Sequence, residues 1–195
     1  MEQSGFINQV GYDFYLKLLS EEIDIIKENK PIEHSSPEIN IGLYSFFPDE
    51  YIVNENLKLQ LYRHLSQIQN TPDLEAFKKH VRNRFGPFPV EADNLFTEKA
   101  LSLCATAFNI SKLVYKNERV QIMFHPQSDI DNLQNTVYHF SEFLNTRHIR
   151  PQFSGKGDLS LSFRCGPMQL LALLFDLFKK PISGTKTPKN LTSKQ

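Results

Sequence analysis

The sequence predicts an α+β fold: a helical first half with a short strand, followed by a ββαββα-like unit. Two observations carry that expectation. Apolar residues recur at three- and four-residue steps through most of the chain up to about residue 109, and paired alternating runs separated by turn residues take over beyond residue 110.

Between Tyr12 and Glu28, Phe14, Leu18 and Ile25 recur with Leu16, Leu19, Ile23 and Ile26 at helical spacing, which predicts a helix over about 8–29. Pro31 and Pro37 bracket the polar stretch Ile32 to Ser36 and disfavour helix on both sides, so a linker and a first boundary are expected near residue 36. Ile39, Ile41 and Leu43 then alternate with Asn40 and Gly42 as a short half-buried strand, and Pro48-Asp49-Glu50 turns the chain. Leu57, Leu61, Leu65 and Ile68 form a helical stripe ending at Asn70. Thr71 is the expected N-cap of the next helix, with Pro72 and Asp73 in its first turn and Gly86-Pro87 as its stop. A third helix is expected over roughly 90–109, carrying Leu95, Ala100, Leu103, Ala107 and a buried Cys104.

In the last third, Leu113-Val114-Tyr115 and Val120 to Phe124 flank Lys116-Asn117-Glu118-Arg119, two strands around a short turn that favours an antiparallel pair. A helix over about 129–146 follows, carrying Ile130, Leu133, Val137, Phe140 and Leu144. Gln152-Phe153 and the alternation Leu159, Leu161, Phe163 then flank Gly155-Lys156-Gly157, and a final apolar helix runs over 167–178. From Lys179 onward there are five lysines and no acids among Pro, Ser and Thr, a composition expected of a disordered tail. The expected organisation is 1–36 as helix and linker, 37–180 as the principal domain and 181–195 as tail.

Composition excludes several classes. With 195 residues, 8 Gly, 11 Pro and two Cys, the chain is neither collagen-like nor a disulfide scaffold. No apolar run approaches the roughly 20 residues of a membrane span, and the first residues lack the features of a signal peptide, so a soluble cytoplasmic protein is expected. The 22 basic and 22 acidic side chains balance, but unevenly: residues 1–55 hold 11 acidic and 3 basic groups, residues 56–195 hold 11 acidic and 19 basic. That asymmetry suits contact between parts of one assembly, or a basic face toward an acidic partner.

Local catalytic and metal spacings are missing: there is no phosphate-cradling loop ending in Lys-Ser or Lys-Thr, no Gly-x-Ser-x-Gly and no His-Glu-x-x-His. Catalytic and metal-ligating residues are therefore expected to be none. Gly155-Lys156-Gly157 lies between alternating runs and reads as a hairpin turn. Cys104 and Cys165, 61 positions apart, read as buried structural thiols, and six scattered histidines as solvated or hydrogen-bonded. Asp129 and Asp131 suit the positive end of a helix. The basic run Lys78-Lys79-His80-Val81-Arg82-Asn83-Arg84 spreads cations over a broad helical face fit for an acidic partner or for phosphates, although such runs are usually solvated. Phe77 and Phe85 fall where core contacts are expected.

Two stretches resemble a known family. Glu2-Gln3-Ser4-Gly5-Phe6-Ile7 and Val10-Gly11-Tyr12-Asp13-Phe14-Tyr15-Leu16-Lys17-Leu18-Leu19 resemble the segment after the motor of bacterial transcription-repair coupling factor. Ile39-Asn40-Ile41, Phe47-Pro48-Asp49-Glu50-Tyr51-Ile52, Leu59-Gln60-Leu61-Tyr62-Arg63-His64-Leu65 and Arg84-Phe85-Gly86-Pro87-Phe88-Pro89 resemble its C-terminal domain in order and spacing.

The resemblance implies the end of a larger ATP-driven DNA translocase that releases stalled RNA polymerase and recruits excision repair through UvrA. Gln3 and Gly5 match the end of the family's translocation motif. The motor, with its ATP and Mg²⁺, is absent, so no cofactor and no enzymatic activity are expected of this chain. The resemblance further implies a regulatory module that folds onto the N-terminal UvrB-like region, covers the UvrA surface and restrains the motor. Relatives present acidic side chains on the helix before Arg-Phe-Gly, where this chain has His80 and Asn83 among Lys78, Lys79 and Arg82. Those five residues are the expected interdomain contact, with polarity changed. A basic nucleic-acid-binding module is the alternative, with steep salt dependence as its sign. An enzyme whose residues converge only in the fold is a third reading.

Overall fold

Ile39 is the centre of β1 (Glu38–Asn40), an edge strand that sends this one side chain into the core. The computed structural model describes residues 36–125, 130–154 and 159–179. The expected helix over 8–29, Gln3 and Gly5, most of the linker, Asp129, the Asp131 side chain, Gly155-Lys156-Gly157 and the tail over 181–195 lie outside the described residues. β1 is shorter than the alternation through Leu43 suggests: Gly42 takes φ +76°, a left-handed conformation that breaks an extended ladder, although Ile41 is still buried.

The Pro48 carbonyl then accepts from the amides of Tyr51 and Ile52, closing the expected turn. Three helices follow: α1 (Glu55–Gln67), α2 (Thr71–Phe85) and α3 (Val90–Ala107). The cap of α2 corrects the sequence reading. Asn70, not Thr71, is the N-cap; its Oδ1 accepts from the Asp73 amide at 2.9 Å and its Nδ2 donates to the Asp73 carboxylate at 2.7 Å. Asn ranks above Thr at this position because its planar carbonyl reaches the orphan amide readily. Gly86 stops α2 at φ +89°, where a side chain would be strained. α3 ends at Ala107, and its Ala107 is exposed rather than packed. Asn109, at φ +54°, turns the chain into the sheet.

The second half alternates as expected. β2 (Ile110–Lys116) and β3 (Arg119–Phe124) are antiparallel across Asn117 and Glu118, whose φ values of +51° and +56° match the two-residue turn that fits strand twist. α4 (Ile130–Thr146), β4 (Gln152–Ser154), β5 (Ser160–Arg164), a 3₁₀ turn (Pro167–Gln169) and α5 (Leu170–Leu177) complete the ββαββα unit. The spacing predicts one helix over 167–178, whereas its first three residues wind more tightly as the 3₁₀ turn. The sheet order is β1-β2-β3-β5-β4, with β1 parallel to β2 and every other neighbour antiparallel.

Two cores result. Phe47, Tyr62, Leu65, Leu74, Val81 and Leu95 fill the helical one, and the inner sheet face (Leu113, Val120, Ile122, Leu161, Phe163) packs on Phe140, Leu144 and Leu174 in the other. Burial of each such side chain stabilises by roughly 1.5–3 kcal/mol relative to exposure. α3 joins both, through Ala92, Leu95 and Phe96 on one side and Leu101 and Ala105 on the other. Cys165 is buried, whereas Cys104 is half-buried, a departure from the expected full burial; in both, desolvation raises the thiol pKa and leaves the protonated, unreactive form.

Candidate functional site

The two motif segments Phe47–Ile52 and Arg84–Pro89, far apart in sequence, meet at the end of α2. The Tyr51 hydroxyl donates to the Gly86 carbonyl at 3.0 Å, and its ring lies 6.0 Å from that of Phe85 and 6.2 Å from that of Phe88. Desolvation at this corner raises the Tyr51 pKa, while the Arg82 charge acts against that rise. Phe88 in turn meets Phe96 of α3 in a tilted contact, 4.9 Å between centroids.

This corner sorts the five expected contact residues. Lys78 and Arg82 are one helical turn apart and both lie over Phe88, at 5.8 Å and 4.8 Å from its centroid. Lys78 also pairs with Asp93 of α3 at 2.9 Å and its side chain is only 28% exposed. It is a strut between α2 and α3 rather than a free cation. Lys79, His80 and Asn83 are exposed together on the outward side of α2, and Arg82 is exposed at its edge. α2 is thus anchored on its inner side by Leu74, Phe77 and Val81, leaving a fixed polar face on which Lys79 and Arg82 are exposed with Glu75 one turn before Lys79 and with His80 and Asn83 beside them.

A second feature was missed by sequence reasoning. Beside the corner lies an open cleft of about 690 Å³, floored by Phe46, Tyr51 and Phe88 and rimmed by Asp49, Glu50 and Glu91. Its signal was the density of aromatic and proline residues in both motif segments, but only their spatial meeting shows a cleft. Asp49 is engaged with Lys58 of α1, so part of the rim charge is already balanced. Among the described residues no group of three or more His, Cys, Asp or Glu could hold a metal ion, and no helix is long and apolar enough to cross a membrane.

Comparison with known proteins bears on the family and the fold. Residues 41–134 match the family model described as the TRCF domain. The chain is 32% identical to the transcription-repair-coupling factor of Rickettsia typhi over 152 residues, which is 77% of this chain and 13% of that protein. It is 36% identical to that of Rickettsia bellii over 132 residues, 66% of this chain and 12% of that protein. The corresponding factor of Borreliella burgdorferi is 30% identical over 123 residues, 63% of this chain and 11% of that protein. The chain therefore spans about an eighth of the length of these relatives. The fold is similar to a crystal structure of the C-terminal domain of transcription-repair coupling factor, with TM-score 0.61 and 19% identity, covering 74% of this chain and 89% of that one.

Proposed function

We propose a function from the premise that this chain belongs to the transcription-repair-coupling factor family, whose TRCF domain it carries: it is a non-catalytic regulatory module that restrains an ATP-driven DNA translocase by interdomain contact. The partner in this reading is the N-terminal UvrB-like region of the same protein. Contact with it masks the surface used for UvrA, and engagement of RNA polymerase or DNA shifts the balance toward the open form. Such a shift requires that the engaged ligand bind the two forms with different affinity. ATP and Mg²⁺ belong to the motor in this reading, and no step runs through them on this chain. A cytoplasmic location follows from the same reading.

One observation carries the proposal. The corner made by Tyr51, Gly86 and Phe88 fixes α2 so that Lys79, His80, Arg82 and Asn83 are presented together on a rigid helix, with Lys78 bracing it from beneath. A preformed surface loses little side-chain freedom on docking. The test is binding of this chain to the UvrB-like region supplied as a separate protein. Charge reversal by K79E with R82E is expected to weaken binding at least about tenfold, since like charges then face each other at the interface where opposite charges attracted. Equal affinity of the variant overturns the assignment. In the full-length protein, deletion of residues 37–180 is expected to raise basal ATPase and UvrA binding together.

A further inference from the structure

At one end of the sheet's outer face, register aligns cations side by side. Lys116 of β2 is directly opposite Arg119 of β3, and Arg119 is directly opposite Arg164 of β5. Gln152 of β4 is opposite Ser162, so continuing that antiparallel register two residues beyond the strand puts Arg150 level with Arg164. All four side chains are exposed, whereas Val120 and Phe163, next along the strands, face the core. Like charges directly opposite in a sheet destabilise it. Among the described residues, none of the four forms an ion pair. The contrast lies on the same sheet face, where Lys112 pairs with Glu38 at 2.8 Å. Glu118, in the turn beside Lys116 and Arg119, makes no ion pair with either.

The row also has shape. Arg119, Arg150 and Arg164 line a cavity of about 320 Å³, with His148 and Gln152 beside them and Phe163 at its base. Arg119 Nη1 donates to Gln152 Oε1 at 3.2 Å, which holds its guanidinium across β5 toward β4. Behind the row come Gln121, Ser162 and Gln152, neutral hydrogen-bonding side chains with no carboxylate among them.

We propose that this row binds the phosphate backbone of a nucleic acid. Neighbouring strands are about 4.8 Å apart, so four cations in adjacent positions span roughly 14 Å. That is a ladder for successive phosphates, whose charges repeat every few ångströms along a strand. Guanidinium groups present a planar fork of donors matched to phosphate oxygens, and flanking amides and hydroxyls are common partners of phosphate and sugar. The row has no residue in common with the proposed α2 contact and stands or falls separately from it.

The test uses the 195-residue chain and a fluorescein-labelled 20-base-pair DNA duplex, with binding measured by anisotropy across a salt series. Four phosphate contacts give a log–log slope near −3.6, a loss of on the order of 100-fold between 50 and 200 mM salt. R119Q with R164Q is expected to weaken binding more than about tenfold and to bring the slope to about −1.8, while K79E with R82E leaves both unchanged. Because the central pair lies within strands, K116Q with R150Q at the ends of the row provides the same reading, and thermal melting checks the fold of each variant. Undiminished binding in both double variants, or no binding at 50 mM salt, overturns the proposal. So does displacement of the duplex by inorganic phosphate or polyglutamate, at matched ionic strength, as effectively as by unlabelled duplex, which would assign the row to a small anion or an acidic polypeptide.

Discussion

The Tyr51 hydroxyl donates to the Gly86 carbonyl 35 residues further along the chain, and this single bond ties the turn before α1 to the C-cap of α2. The Gly86 amide is already committed to the Arg82 carbonyl, so the cap is fixed from both sides. Tyr51→Phe keeps the ring contacts with Phe85 and Phe88 and removes only the bond. The expected cost is about 1 kcal/mol in urea unfolding, the net worth of one such hydrogen bond. Burial raises the Tyr51 pKa, so the folded state resists its ionisation. Stability from this site is present below the ordinary tyrosine value near 10 and is lost as pH rises beyond it, a dependence that Tyr51→Phe removes.

Tyr62→Phe is expected to cost more. The Phe47 amide donates to the Tyr62 hydroxyl at 2.8 Å in the buried helical core. Removing that oxygen leaves a buried N–H without its partner, at about 1–3 kcal/mol. Denaturant titration of the pair of Phe variants should rank Tyr62→Phe as the less stable.

Asn70→Ala tests the reassigned helix cap. Loss of the bond to the Asp73 amide is expected to cost about 1 kcal/mol, whereas Thr71→Ala should change stability by only a few tenths. Equal effects in denaturant melts would restore Thr71 as the cap.

Glu118→Gly is expected to stabilise the chain. Glu118 stands at φ +56°, a conformation that costs an L side chain roughly 1–2 kcal/mol and glycine almost nothing. The resulting Asn-Gly pair suits the hairpin turn, and calorimetry should show the midpoint rising by roughly 2–4 °C for each kcal/mol gained.

Lys99→Met addresses a buried cation. Lys99 is buried in α3, donates to the Ser66 carbonyl at 3.3 Å, and has its pKa lowered from 10.5 by desolvation. A depressed lysine pKa means that the unfolded chain binds more protons, so stability rises with pH between the depressed value and 10.5. Replacement by methionine is expected to stabilise by up to about 1 kcal/mol at neutral pH and to flatten that slope, as measured by unfolding at several pH values.

The helices from Glu55 onward and the ββαββα order were legible because each rests on a local period. Leu61 and Leu65 share a helical face whatever lies elsewhere, and Val120 and Ile122 share a strand face. Pairing is a non-local choice, so the insertion of β5 between β3 and β4 left no mark on the sequence. The same reason hid the cationic row, since Lys116, Arg119, Arg150 and Arg164 become neighbours only once register is fixed. Lys78 looked like its neighbours in the basic run because Asp93, Phe88 and Phe96, which half-bury it, come from the next loop and helix. Asn70 and Thr71 are adjacent and both suit a cap, a one-residue ambiguity that geometry alone resolves.

β1 has a mechanical consequence. It precedes the three helices in the chain yet pairs in parallel with β2, through Glu38, Ile39 and Asn40, so the helical layer hangs as a loop between two bonded neighbours. Tension transmitted from residues before Ser36 reaches this sheet edge first and loads its hydrogen bonds in shear, along the strand axis. The helices, with the α2 surface they hold, are bypassed by that force until the edge strand slips.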